Sequence, residues 1–358
     1  MTTELKKYFP MLREREEILA EIGKRENLRT EFESWEPEQR EEFLDVCSGV
    51  KGMKFLYDGF FKEILNPEYV PERFNDFLSC MLCQKARVLK ILPNDSTRIA
   101  SESSLLITDI VVELADGSIA NVEMQKIGYL FPEQRCACYS ADLLLRQYRR
   151  VRGERKKTFG YRDIRNVYTI VLFEKSPAEF HRYPERYYHM FEQKSDTGLK
   201  LELLQKYVFI PLDIFRENQQ NKSIEKKLDA WLTLLSCEEP EKIIELIEKY
   251  PEFREIYEEG SEICQNTERV MEMFSKELYE LDKNTVQYMI DEMQDTIDAQ
   301  KQEIDKQNTI INKMKKEQDE MIRGTVNILR NMNAPEEEIV ERLCAQYGMD
   351  EEKGRSYL

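Results

Sequence analysis

The chain has 358 residues, 34% of them charged, with a formal net charge of −16. That length allows more than one domain, no apolar run approaches the roughly 20 residues of a membrane span, and the polar, charged start reads as no secretory leader. An acidic total argues against a nucleic-acid protein unless the charge is uneven. Here it is uneven: residues 221–358 carry about −14 and residues 1–220 only about −2.

Residues 1–50 read as charged helices. Leu12, Ile18, Leu19 and Ile22 recur at helical spacing on one face, and Trp35-Glu36-Pro37-Glu38 opens a further helix before Phe43, Leu44 and Val46. Residues 53–92 read as two helices interrupted by Asn66-Pro67 and Pro71, followed by a short strand from Val88 to Leu92 that Pro93-Asn94-Asp95 ends. Cys80 and Cys83 have metal-ligand spacing, yet they sit in an apolar helical segment with no second pair and no neighbouring histidine, so they read as packing residues. The eight cysteines are scattered along the chain, which suits free thiols in a reducing, cytoplasmic compartment.

The segment Ser104 to Gln125, SLLITDIVVELADGSIANVEMQ, carries the chemistry. Two apolar strands flank the turn Ala115-Asp116-Gly117-Ser118, so they form an antiparallel hairpin. Asp109 near the start of the first strand and Glu123 near the end of the second then fall at the same end. Glu123 and Gln125, two residues apart, share a face, while Val122 and Met124 point to the other. Acids are depleted in strands, and burying one is costly without a cation or hydrogen-bond partner. Converging carboxylates with a third polar group suit a hard divalent cation. Glu113 and Asp116 read as solvated hairpin residues.

Pro132-Glu133 opens the next helix. Within residues 146–165 stand nine Arg or Lys against two acids, a basic stretch able to follow a phosphate backbone. The stretch Val167 to Phe173 is an uninterrupted apolar run, expected as a buried central strand. Tyr207 to Ile214 reads as a last strand, with Pro211 suited to an edge. After residue 220, apolar clusters at Trp231–Leu235 and Ile243–Ile247 imply helices. From Ile290 a heptad runs through Ile297, Ile304 and Ile311 at one position and Met293, Met314 and Met321 at the other, with Gln300 and Gln307 interrupting the second. Gly324 reads as its end, and a small helical tail follows.

These motifs, in order, resemble the PD-(D/E)XK nuclease superfamily, and within it the nuclease family transposases related to recombination-promoting nucleases. The resemblance covers roughly residues 50–215. It rests on Asp109 followed by Glu123-Met124-Gln125, on Asp58-Gly59-Phe60-Phe61-Lys62 upstream, and on Arg135 and Tyr139 downstream. It implies a restriction-endonuclease-like α/β core, a mixed central sheet flanked by helices, followed by an α-helical region with a coiled coil. The expected domains are a helical preface (1–50), the nuclease-like domain (51–220), a helical segment (221–285), the coiled coil (286–330) and the tail (331–358).

The implied function is metal-dependent hydrolysis of DNA phosphodiester bonds in recombination or mobile elements, with Mg²⁺ or Mn²⁺. Asp109 and Glu123 would ligate the metal, with Asp58 (or, less suited by motif position, Glu63) as a third acid. Gln125 stands where the superfamily usually has Lys, and it brings a hydrogen-bonding amide without charge. Arg135, Arg146, Arg149, Arg150, Lys156 and Lys157 are the candidate DNA contacts, and the coiled coil implies a homodimer or another homo-oligomer. Two alternatives stay open: a catalytically weak nuclease-fold interaction protein, and a defence or toxin-like nuclease restrained by its C-terminal part.

Overall fold

A computed structural model describes residues 3–92, 109–126 and 133–358; within these, the side chains of residues 109, 133–135, 280–292, 295 and 299 are not described. The polypeptide divides into two compact units, Met1–Tyr288 and Met289–Leu358.

Four helices open the first unit: α1 (Glu4–Tyr8), α2 (Arg15–Lys24), α3 (Glu26–Ser34) and α4 (Pro37–Ser48). The start of α4 follows from its sequence. Pro37 occupies the first turn, where its missing N–H costs nothing, and Glu36 and Gln39 cap each other's backbone reciprocally. Gly49 ends the helix at φ 71°, a left-handed conformation that favours glycine. The stripe expected on α2 is buried at Ile18 and Ile22, but Leu19 faces solvent at 42% exposure. Next come α5 (Asp58–Ile64) and α6 (Pro71–Met81).

The sheet contains β1 (Val88–Ile91), β2 (Asp109–Leu114), β3 (Ile119–Gln125), β4 (Val167–Phe173), β5 (His189–Phe191) and β6 (Gln205–Pro211), in the order β1-β2-β3-β4-β6-β5. The central trio β3, β4 and β6 is parallel, and the outer pairings are antiparallel. Between β3 and β4 runs the long helix α7 (Glu133–Arg155), the crossover that a parallel pair requires. In the β2–β3 turn the Leu114 N–H donates to the Ser118 carbonyl at 2.8 Å, and Gly117 takes φ 85°. Asp116 Oδ1 accepts from the Ser118 N–H at 2.9 Å and fixes the turn. Pro211 is not at an edge: β6 is flanked by β4 and β5, and the proline is its last residue, facing Phe173 on β4. Leu212 to Ile214, expected to prolong that strand, begin helix α8 (Leu212–Gln219) instead.

Alternation gives the sheet two different faces. Val112, Ala120, Val122, Met124, Ile170, Leu172, Val208 and Ile210 belong to the main core. That core is shared with α1–α6 and with α9 (Lys227–Ser236), α10 (Pro240–Lys249), α11 (Glu252–Ile263) and the first turns of α12 (Thr267–Asn331). On the other face, Val111, Ile119, Val167, Val171, Phe173 and Phe209 meet residues of α7, among them Cys136 and Leu143.

Helix α12 is continuous over its 65 residues, and Gly324 lies inside it rather than at its end. In the second unit Ile322, Val326 and Leu329 of α12 pack with Ile339 and Leu343 of α13 (Glu336–Tyr347), and the short α14 (Glu351–Arg355) follows. The heptad residues Ile297, Ile304, Ile311, Met314 and Met321 face solvent, each 46–62% exposed.

Candidate active site

The hairpin register places Asp109 directly opposite Glu123. Successive strand pairings extend that position into one row across the sheet: Asp109, Glu123, Val171, Phe209, His189. Residues directly opposite on neighbouring strands share a face, so this row lies on the α7 side. Gln125 opens the next row, facing Phe173. Asn121 and Thr169 form a row on the same face with Tyr207 and Phe191.

Glu123 is 1% exposed and Gln125 6%. Cys136, in the first turns of α7, lies close enough that the Glu123 charge adds to the effect of burial in pushing its thiol up. Two polar atoms of this face, Asn121 Oδ1 and Thr169 Oγ1, are buried without a hydrogen-bond partner among the described residues. A buried carboxylate beside amide and hydroxyl oxygens is a donor set for a hard, oxygen-seeking cation. The residues present therefore fit a divalent metal, with Asp109 at the register position opposite Glu123. Among the described residues there is no cluster of three His, Cys, Asp or Glu able to hold one, and the Asp109 side chain is not among those described.

Asp58 is not brought to this site. It sits on α5, packed against the opposite face, and is 4% exposed. Its carboxylate receives Lys62 at 2.8 Å and Lys276 at 3.4 Å, and its N–H donates to Glu277 Oε2 at 3.2 Å. Lys126 joins that cluster. One residue beyond Gln125, it turns to the α5 side as strand alternation dictates, donates to Glu277, and lies 4.8 Å from the Tyr57 ring centroid. Burial pushes its ammonium down, to about 8, against the upward pull of Glu174 and Asp58. The acid expected as a third metal ligand thus lies on the other face from Glu123 and has cation partners of its own. Glu63 pairs with Arg269.

The basic stretch follows the acids in sequence and is distant in space. From Cys136 to Arg149 helix α7 rises about 20 Å, and Gln147 donates to the Gly117 carbonyl at the hairpin turn, the far end of β3 from Glu123. Two candidate DNA contacts have partners in the fold: Arg146 binds Asp142 at 2.7 Å, and Arg150 binds Glu113 at 3.2 Å. Glu113 also receives Lys90 and is 13% exposed, so it is not the solvated residue expected. Arg149, Lys156 and Lys157 are exposed. The Arg135 side chain lies outside the described residues, and Tyr139 is half-buried.

Sequence reasoning missed β5 and the groove it walls. Cys136 and Ala137 of α7, Phe180, Tyr183 and His189 of the β4–β6 connection, and Tyr207 and Phe209 of β6 line a space of about 560 Å³. The signal was the aromatic density of residues 180–191, FHRYPERYYHMF.

No curated protein and no solved structure matches the chain. Residues 56–291 match the family described as PD-(D/E)XK nuclease family transposase, and the mixed six-strand sheet flanked by helices is consistent with a restriction-endonuclease-like fold. With more than half of its length matched, the chain belongs to the PD-(D/E)XK nuclease family transposase family.

Proposed function

We propose that the protein is a divalent-metal-dependent nuclease that hydrolyses DNA phosphodiester bonds on the α7 face of the sheet. Membership of a nuclease family related to recombination or transposition supports the reaction class. The observation that carries the site is the register of Asp109 opposite Glu123 on a buried face that also presents Gln125. Asp109 and Glu123 would hold Mg²⁺ or Mn²⁺, which when bound lowers the pKa of a water and offsets phosphate charge. The protein's own residues do the rest. Glu123, held rigid in a central strand, fixes the ligand position. Gln125, on the same face one row away, orients a water or a phosphate oxygen by hydrogen bonding. Having no charge, it adds less electrostatic stabilisation than a lysine would, so slow turnover is expected. Arg149, Lys156 and Lys157 hold the phosphate backbone about six base pairs away along a duplex, given 3.4 Å per step. Pairing of two copies through the Ile297, Ile304 and Ile311 stripe brings a second site to a second strand.

The test is nicking and linearisation of supercoiled plasmid with Mg²⁺, Mn²⁺ or EDTA, beside the Asp109→Ala and Glu123→Ala variants. Metal-dependent cutting lost in both variants supports the reading. A folded, metal-supplied wild type that cuts nothing refutes it. Cutting that survives both substitutions moves the site elsewhere.

A further inference from the structure

The aromatic groove is lined mostly by rings and includes none of the residues proposed above to hold the metal. We propose that it receives unpaired nucleobases of the strand being cut, so that the substrate is single-stranded or locally opened DNA. The inference rests on the nuclease reading and names its substrate class.

Three observations carry it. The first is alignment. Phe209 and His189 stand in the same cross-sheet row as Asp109 and Glu123, on the same face. Phe209 is two strands from Glu123, about 10 Å at the usual strand spacing. Cys136 belongs to both places, lining the groove and lying within the field of Glu123. A chain held at the acids reaches the groove within a nucleotide or two.

The second is composition. The rings form a connected series: Tyr183 to His189 at 6.1 Å, His189 to Phe180 at 5.1 Å, Phe180 to Phe209 at 6.1 Å, and Phe209 to Phe191 at 5.2 Å. Tyr183 and Phe191 keep 54% and 48% of their surface in solvent, so their rings are available to a flat ligand. Every base has such a face, so stacking tolerates any sequence.

The third is charge and size. Arg182 stands at the rim, opposed by Glu179, so the lining is close to neutral, as suits a base and not a phosphate. Burial pushes the His189 imidazole below its usual range, which favours the uncharged ring at neutral pH. A space of about 560 Å³ lies within the size range of small-molecule sites and is far too small for a duplex.

The experiment uses the full chain in EDTA, so that nothing is cut. Fluorescence anisotropy compares a labelled single-stranded oligonucleotide with the duplex of the same sequence, for wild type, Tyr183→Ala, Phe191→Ala and the double variant. Both residues are exposed, so the substitutions leave the fold intact. Single-strand affinity should fall about tenfold for each ring removed, with duplex affinity unchanged. Photocrosslinking of a 5-iodouracil oligonucleotide should label Tyr183, Phe191 or Tyr207. Unchanged single-strand affinity, an equal loss for duplex, or crosslinks only outside the groove would overturn the proposal. A protein that binds and crosslinks in the groove yet, with Mg²⁺ or Mn²⁺ supplied, cuts neither plasmid nor single-stranded circular DNA would refute the nuclease reading alone. One that cuts in an Asp109- and Glu123-dependent way but fails the anisotropy test would refute the groove alone.

Discussion

The two faces of the central sheet treat charge differently. Under α5 and α12, Asp58, Lys62, Lys126, Lys276 and Glu277 pair with one another beside a large apolar core, with Asp58, Lys126 and Glu277 buried and Lys62 and Lys276 reaching solvent. Under α7, Asp109, Glu123 and Gln125 are brought into neighbouring rows that run into an open aromatic groove. A buried ion pair is weak evidence for stability or for catalysis, since its attraction mostly offsets desolvation. A buried carboxylate in the same cross-sheet row as the groove is the feature on which the proposed site rests. Residues that look equivalent in sequence, Asp58 and Glu123, or Gln125 and Lys126, are separated by which face they occupy.

The largest expected effect tests the open face. Glu123→Ala and Asp109→Ala should each lower metal-dependent cleavage by about 10²–10³-fold, the scale of losing a charge-stabilising group. Circular dichroism and the thermal midpoint should stay near wild type, because neither change opens the main core. A parallel fall in both would place Glu123 among the structural residues.

The ion-paired face predicts the reverse, a stability loss without a catalytic one. Lys126→Ala leaves Glu277 charged and buried and should cost about 3–5 kcal/mol in denaturant unfolding. The pair Lys126→Met with Glu277→Leu should recover most of that loss, since apolar replacement of both partners is often neutral. Its cleavage per folded molecule should match wild type. Loss of cleavage in this folded double variant would give Lys126 the role usually held by lysine in the superfamily. Asp58→Asn should likewise leave the metal dependence of cleavage unchanged.

A smaller effect concerns the second unit. Ile297→Glu with Ile304→Glu should turn the proposed dimer into a monomer in sedimentation without unfolding α13, because both isoleucines are more than half exposed and a charge at a heptad core position breaks the seam. A wild type that sediments as a monomer would remove the second site from the proposed reaction.

Much of this was legible in the sequence because local rules decide it. The hairpin follows from Asp116-Gly117 between apolar runs, and strand parity alone sends Glu123 and Gln125 one way and Lys126 the other. The uninterrupted run Val167 to Phe173 marks the centre of the sheet, bounded as expected. What was not legible depends on packing across long separations. Nothing near Asp58 in sequence announces Glu277, 219 residues away. The edge strand β5 is three residues long with no alternation to detect, and it exists because β6 offers it a partner. The distance from the acids to the basic stretch was hidden for a related reason: adjacency in sequence became about 20 Å along α7.

The smallest effect is a pH dependence, and it bears on what the groove is. Burial holds the folded His189 below its ordinary value near 6.5, with the Arg186 charge acting the same way and a hydrogen bond to the Arg186 carbonyl at 3.2 Å opposing. A group depressed in the folded state binds fewer protons there than in the unfolded chain, so stability rises with pH across the titration. His189 should therefore cost nothing above about pH 6.5 and should destabilise the fold as pH falls below that value. The imidazole is only partly buried, so the effect is modest. Urea midpoints from pH 7.5 to 5.5, wild type against His189→Gln, isolate it from the carboxylates that titrate in both proteins. The wild type should lose more than the variant on acidification. The opposite difference would mean that the fold favours the charged ring. The end of the Asp109–Glu123 row would then present a cation to phosphate, and the groove would lose its claim to be a neutral stacking wall for bases.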